Sequence, residues 1–204
     1  MKYSKEYILE RAFDVFMEKG YDSISISVLQ QELGMSRGAM YRYFRNKEEL
    51  FVSVVDVYFF KIFDRILKNV KEDLTVKELI EVVYRRQKLI AISLTKVNIT
   101  SAVFLNYTAL MIQAAKHYPN FVYKFKKIEK RLLESWKNAL KNSMEAGEIR
   151  KDTDIDIICV LFSNTTMREA SSNKKGESRF SFDIVRDVEG RKKVMDYLYS
   201  LIKI

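Results

Sequence analysis

Ile8, Ala12 and Phe16 recur at helical spacing, Leu9 and Phe13 widen the stripe, and Glu6, Glu10, Asp14 and Glu18 fill the opposite face. That pattern predicts an amphipathic helix from about Ser4, ended by Gly20. After Tyr21 and Asp22, Ser25 is placed to cap a short helix with Ile26, Leu29 and Leu33 on its apolar side, and Gly34 ends it. Ser36 caps a third short helix whose buried pair is Met40 and Phe44, at i, i+4 spacing. A fourth begins around Asn46 and Lys47, where Glu48 and Glu49 complement the macrodipole, and carries Leu50, Val54, Val57 and Phe60 on to about Leu67.

Beyond Asp73 the predicted helices lengthen. Thr75 and Glu78 have capping-box spacing and open a helix to about Thr95. Val97 to Ala115 carries no charge, but Asn98, Thr100, Ser101, Asn106, Thr108 and Gln113 interrupt it, and polar groups are costly in lipid. The expectation is a buried central helix rather than a membrane span. Pro119 fits the first turn of a helix reaching about Gly147. A helix from Ile155 to Phe162 is apolar almost all round, Ser171 to Arg186 reads as a polar loop, and a last amphipathic helix covers about Asp187 to Lys203. With no repeat and no Pro/Gly linker, the fold class is all-α. A domain of three short helices, residues 1–47, joins rigidly through the fourth helix to a larger helical domain, residues 48–204.

Charge changes the picture only locally. The 204-residue chain has a net charge of +9, yet residues 1–51 hold eight cations and eight acids and so sum to zero. Global basicity therefore says little about nucleic acid. The single cysteine, Cys159, forms no intramolecular disulfide, and the start MKYSKEY lacks the apolar segment of a secretory signal, so a cytoplasmic protein is expected.

The local exception is Ser36 to Lys47, which holds four cations, three aromatics and no acid within twelve residues. Two short helices joined by a tight Gly-containing turn, the second presenting cations, predict a helix-turn-helix with its second helix in the DNA major groove. Gly38 and Ala39 keep that helix close to base edges, and Ala39 can touch a thymine methyl. Arg37 and Arg42 can fork onto guanine or clamp a phosphate. Tyr41 and Tyr43 can donate hydroxyl hydrogen bonds to phosphate, Lys47 with the amides of the fourth helix makes an anion site, and Ser25 and Ser27 hold the adjoining backbone. The bland alternative, a solvated cationic face over an aromatic core, is accepted for Met40 and Phe44.

The stretch "GYDSISISVLQQELGMSRGAMYRYFRNKEELF" resembles the N-terminal domain of the tetracycline-repressor (TetR) family through Gly20, Tyr21, Ser25, Leu29, Gly34, Ser36, Tyr41, Tyr43, Phe44, Lys47 and Leu50. The resemblance covers about a quarter of the chain. It departs from the family pattern at Gln30, Glu32 and Leu33, where small residues are usual. It implies a ligand-binding, dimer-forming helical domain after the DNA-binding one. Polar groups on otherwise apolar faces then make Tyr84, Gln87, Phe104, Tyr107, Thr108, Met111 and Trp136 the expected effector pocket, with a satisfied polar core as the open alternative. The apolar helices suggest a four-helix dimer interface through Ile155, Ile158, Phe162, Met195, Leu198 and Ile202, against simple packing within one chain.

Catalysis finds little support. His117 is the only histidine and reads as structural at a helix boundary; no Cys/His/carboxylate cluster has metal spacing, and no phosphate-cradling glycine loop is present. Neither enzyme nor cofactor is expected. The reading is a homodimeric transcriptional regulator, a repressor released from palindromic double-stranded DNA by a small-molecule effector. The alternative is a helical carrier or interaction protein whose basic motif binds anionic surfaces without sequence choice.

Overall fold

The computed structural model describes residues 3–96, 111–165 and 184–204. The described residues form α1 (Lys5–Lys19), α2 (Ile26–Glu32), α3 (Arg37–Tyr41), α4 (Lys47–Val55), a π-helical turn (Asp56–Phe60), α5 (Lys61–Leu67), α6 (Val76–Lys96), α7 (residues 111–117), α8 (Phe121–Glu145), α9 (Ile155–Ser163) and α10 (Ile184–Ile202). The all-α class stands, with one isolated bridge, Ile149 to Lys203, and no strand among the described residues.

The caps predicted at Ser25 and Ser36 are made, and Ser4 and Asn46, where the sequence pattern starts the first and fourth helices, are caps as well. The side chains of Ser4, Ser25, Ser36 and Asn46 accept from the amides of Tyr7, Val28, Ala39 and Glu49. Each is worth about 1 kcal/mol where the alternative is an orphaned donor. Thr75 and Glu78 close their capping box, Glu78 Oε2 accepting from Thr75 N at 2.9 Å.

Two boundaries differ from the expectation. Pro119 sits in the turn before α8, because Asn120 adopts a left-handed φ of 59° and the helix starts only at Phe121. The last helix starts at Ile184, inside the span read as loop. Residues 97–110, most of the uncharged helix, lie outside the described residues.

One apolar cluster runs from α1 through α2, α3 and α4 into the π turn, α7 and the start of α8; a second is built from α6, the later part of α8, α9 and α10. The first crosses from the three short helices into the larger part without a gap: Leu50, Phe51 and Val54 of α4 are fully buried among residues of α1. The rod from Lys47 to Leu67 is one long element, as its pattern predicts, except that its middle is widened into a π turn. Consecutive positions of a regular helix face about 100° apart, yet Phe59 and Phe60 are both buried and both meet Phe121, with centroids at 5.7 and 5.5 Å. Two aromatic rings reach α8 where a regular turn would present one.

Candidate nucleic-acid interface

α3 is short and divided sharply in two. Met40 and the following Phe44 are buried, while Arg37, Gly38, Tyr41, Arg42 and Arg45 are exposed. The Arg37 guanidinium lies 5.7 Å from the Tyr41 ring centroid, a cation–π distance that leaves its donor fork facing solvent. A Cβ added at Gly38 would meet nothing within 4 Å, so this glycine keeps space open toward the outside rather than relieving a contact within the protein. Ala39 is half-buried beside it. Gly34, with φ +63°, makes the left-handed turn between α2 and α3, where a side chain would be strained. Ser25, Ser27 and Ser36 are exposed along the same edge, Ser25 and Ser36 with their hydroxyl oxygens used as caps.

Two of the expected phosphate contacts are placed differently. Lys47 is half-buried, and its Nζ donates to the carbonyls of Tyr21 at 3.0 Å and Ile24 at 2.8 Å while lying 4.0 Å from the Tyr21 ring centroid. The physical reason is the turn between α1 and α2, whose carbonyls accept the ammonium's protons. Tyr43 is half-buried, and its hydroxyl donates to the Tyr3 carbonyl at 2.5 Å; Tyr3 in turn donates to the Gly34 carbonyl at 2.8 Å. Both side chains tie the helix-turn-helix together. The first turn of α4 is also largely engaged: Glu49 accepts from Arg45 N, and Glu48 accepts from the Tyr21 hydroxyl at 3.0 Å. Burial and the Glu48 carboxylate push the Tyr21 phenol up, while a hydrogen bond from its own backbone amide and one from Tyr21 hold Glu48 below the usual carboxylate range.

The residues expected around an effector are dispersed. Trp136 is fully buried in the second cluster, stacked on Phe162 at 4.7 Å, whereas Met111 packs against the first. Tyr84 is on α6, its hydroxyl accepting from Lys88 Nζ at 3.1 Å, with Lys192 Nζ of α10 5.6 Å from its ring. Gln87 is half-buried with its Oε1 unpartnered. Phe104, Tyr107 and Thr108 lie outside the described residues.

The structure instead opens a cleft of about 880 Å³ between α1, the rod and α8, floored by Leu9, Phe60 and Ile128 and rimmed by Asp56 and Lys124. Asp56 accepts from the Tyr118 hydroxyl at 2.6 Å and pairs with Lys124 at 3.3 Å. Its walls come from elements far apart in the chain, so no local pattern announced it.

The apolar helices also turn the other way. Phe162, Met195 and Ile202 face the chain's own core beside Trp136, and Ile155, Ile158 and Leu198 pack against it half-buried. These six residues, expected at a subunit contact, fill the second core because α6 and α8 cover that side. The exposed apolar faces belong to their neighbours: Ile157, Val160 and Leu161 on α9, and Tyr197 and Leu201 on α10, all 45 % or more exposed.

Among the described residues no group of three or more His, Cys, Asp or Glu is arranged to hold a metal, and no helix is long and apolar enough to cross a membrane.

Residues 8–54 match the family model of bacterial regulatory proteins, tetR family. The chain is 42 % identical over 71 residues to the HTH-type transcriptional regulator YuxN of Bacillus subtilis; the alignment spans 35 % of this chain and 24 % of that protein. It is 24 % identical over 148 residues to the fatty acid metabolism regulator protein of the same bacterium, across 72 % of each. Among solved structures, the ketosteroid transcriptional regulator KstR2 of Mycobacterium tuberculosis superposes with a TM-score of 0.64 at 17 % identity, covering 100 % of this chain and 97 % of that one.

Proposed function

The chain belongs to the tetR family of bacterial regulatory proteins, and on that premise we propose that it is a homodimeric repressor that binds a palindromic operator through α3 and leaves it when a small molecule binds. The observation that carries this is α3 with the turn that follows it: a capped five-residue helix with Met40 fully buried, and Arg37, the C-cap Arg42 and Arg45 of the following turn exposed together with an uncovered Gly38. Its concentration of cations on one face suits a groove lined by phosphates, and its lack of bulk at Gly38 and Ala39 suits close approach to base edges. Arg37, Gly38, Ala39, Tyr41 and Arg42 are the reading surface; Ser25, Ser27 and Ser36 lie beside it as backbone contacts. Lys47 and Tyr43 hold that surface in place.

The division into residues 1–47 and 48–204 is a functional one, with α4 packed into the first core and continuous with the rod. Two copies joined through the exposed faces of α9 and α10 present two reading heads, which a two-fold DNA site matches. The relatives named for fatty acid and ketosteroid regulation support an apolar effector. Selection of bound DNA from a random pool tests the proposal: a two-fold symmetric consensus is expected, and recovery of unrelated sequences with equal affinity favours an anion-binding interaction protein instead.

A further inference from the structure

The turn between α1 and α2 is gripped from two sides. From α7, the His117 ring stands 4.4 Å from the Tyr21 ring centroid at 34°. His117 Nε2 lies 3.0 Å from Asp22 Oδ1 without hydrogen-bond geometry. Lys116 Nζ lies 3.5 Å from the other oxygen of the same carboxylate, and the Gln113 side chain hydrogen-bonds it as well. Burial opposes the charge on Asp22, yet these three α7 groups hold its carboxyl below the usual range.

From the other side, Lys47 and Glu48 hold Tyr21: the ammonium lies over its ring and bonds its carbonyl, and the carboxylate takes its hydroxyl. Tyr21 is 3 % exposed and also packs on Phe51 at 4.5 Å. Lys47 and Glu48 open α4, which follows α3 after a short link.

We propose that Tyr21 and Asp22 form the joint through which α7 sets the position of the reading helix, with His117 as the positioning residue on the α7 side; this rests on the DNA-binding reading above. Each step from His117 to Tyr21 to Lys47 and Glu48 is a direct contact, and packed contacts of this kind shift between discrete arrangements rather than deforming smoothly. The ion pairs alone carry little, because Asp22 and Lys116 are 50 % and 65 % exposed. The tilted ring contact on a buried tyrosine supplies the rigid part, and the carboxylate fixes its orientation. In the ligand-free chain the joint holds α3 in the DNA-competent position, so loosening it weakens binding without removing any DNA contact.

The test uses the full-length chain, His117→Ala, His117→Phe and Asp22→Asn, with affinity for the selected palindrome measured at several salt concentrations. The ring signal of His117, the only histidine, is followed by NMR with and without that DNA. Wild type is expected to bind with the ring signal unmoved, because the free chain already holds the joint in the DNA-competent position. His117→Ala weakens binding about fivefold or more, and His117→Phe, which retains a ring against Tyr21, weakens it less. The salt slope is unchanged because no phosphate contact is lost.

Affinities of His117→Ala and Asp22→Asn equal to wild type, a ring signal that moves on DNA binding, or a flattened slope for His117→Ala would each overturn the joint. If His117→Ala does not fold, Asp22→Asn and His117→Phe decide it, and wild-type affinity in both overturns it. A wild type that selects no palindrome overturns the function and the joint together, whereas a wild type that does, with variants that match it, overturns the joint alone.

Discussion

Arg37 and Lys47 illustrate how two cations ten positions apart come to do different work. Arg37 is exposed, with its guanidinium free to fork onto a base edge. Arg37→Ala is expected to cost about 1–3 kcal/mol on the selected palindrome and little on scrambled DNA, a difference that parallel titrations measure. Lys47 instead bonds two carbonyls of the α1–α2 turn. Lys47→Met leaves both acceptors short of a charged donor, so denaturant unfolding should show a loss of about 1.5–3 kcal/mol, the scale of hydrogen bonds to charged groups. The salt slope on scrambled DNA should change by well under one unit per half-site, and a full unit would restore Lys47 as a phosphate contact.

The carboxylates beside this turn set an acid limit. Asp22 and Glu48 are both lowered from ordinary values of 3.8 and 4.5. A lowered folded-state pKa means stability that is present above the unfolded value and lost as pH falls through the folded one. Thermal midpoints should therefore decline below pH 4.5, and Asp22→Asn should decline less steeply.

At the scale of elements, two glycines near the same short helix have opposite roles. Neither would crowd a neighbour if given a side chain, but Gly34 has φ +63° and Gly38 does not have a positive φ. Gly34→Ala should lose about 1 kcal/mol, since the left-handed conformation penalises any L side chain. Gly38→Ala should keep or slightly raise stability, because alanine is the better helix former. Its methyl would stand where DNA is proposed to approach, so binding to the palindrome should fall while the melting temperature does not. A stable variant with full DNA affinity would remove Gly38 from the reading surface. The π turn belongs to this scale too: hydrophobic positions of the rod from Leu50 to Phe60 are legible as helix, but nothing in their spacing distinguishes a π turn from a regular one.

At the scale of the whole molecule, the apolar excess of α9 and α10 has two sides with different fates. Phe162→Asp places a charge in a fully buried site against Trp136 and should unfold the second core. Ile157→Lys combined with Leu201→Lys alters residues 59 % and 50 % exposed, and should leave the fold intact while converting a dimer to a monomer in light scattering. A double variant that stays dimeric would place the interface elsewhere.

Local chemistry in the chain was enough for the caps at Ser25, Ser36 and Thr75, the helix starts near Ser4 and Asn46, the burial of Met40 and Phe44, and the exposed cations in and just after α3, because caps, helical period and short-range pairing act within a few residues. What a side chain does with its far end was decided only when distant elements met. The sequence places Lys47 at the start of a helix, but the carbonyls of Tyr21 and Ile24 that accept its protons are brought there by the packing of α1 against α4. The same holds for the apolar faces of α9 and α10: periodicity marks α9 as apolar nearly all round and α10 as amphipathic, and only the positions of α6 and α8 determine which side is covered. The cleft beside Asp56 and the ring contact of His117 with Tyr21 join residues more than sixty positions apart, and such separations leave no periodic trace in a sequence because they are settled by the whole fold's packing.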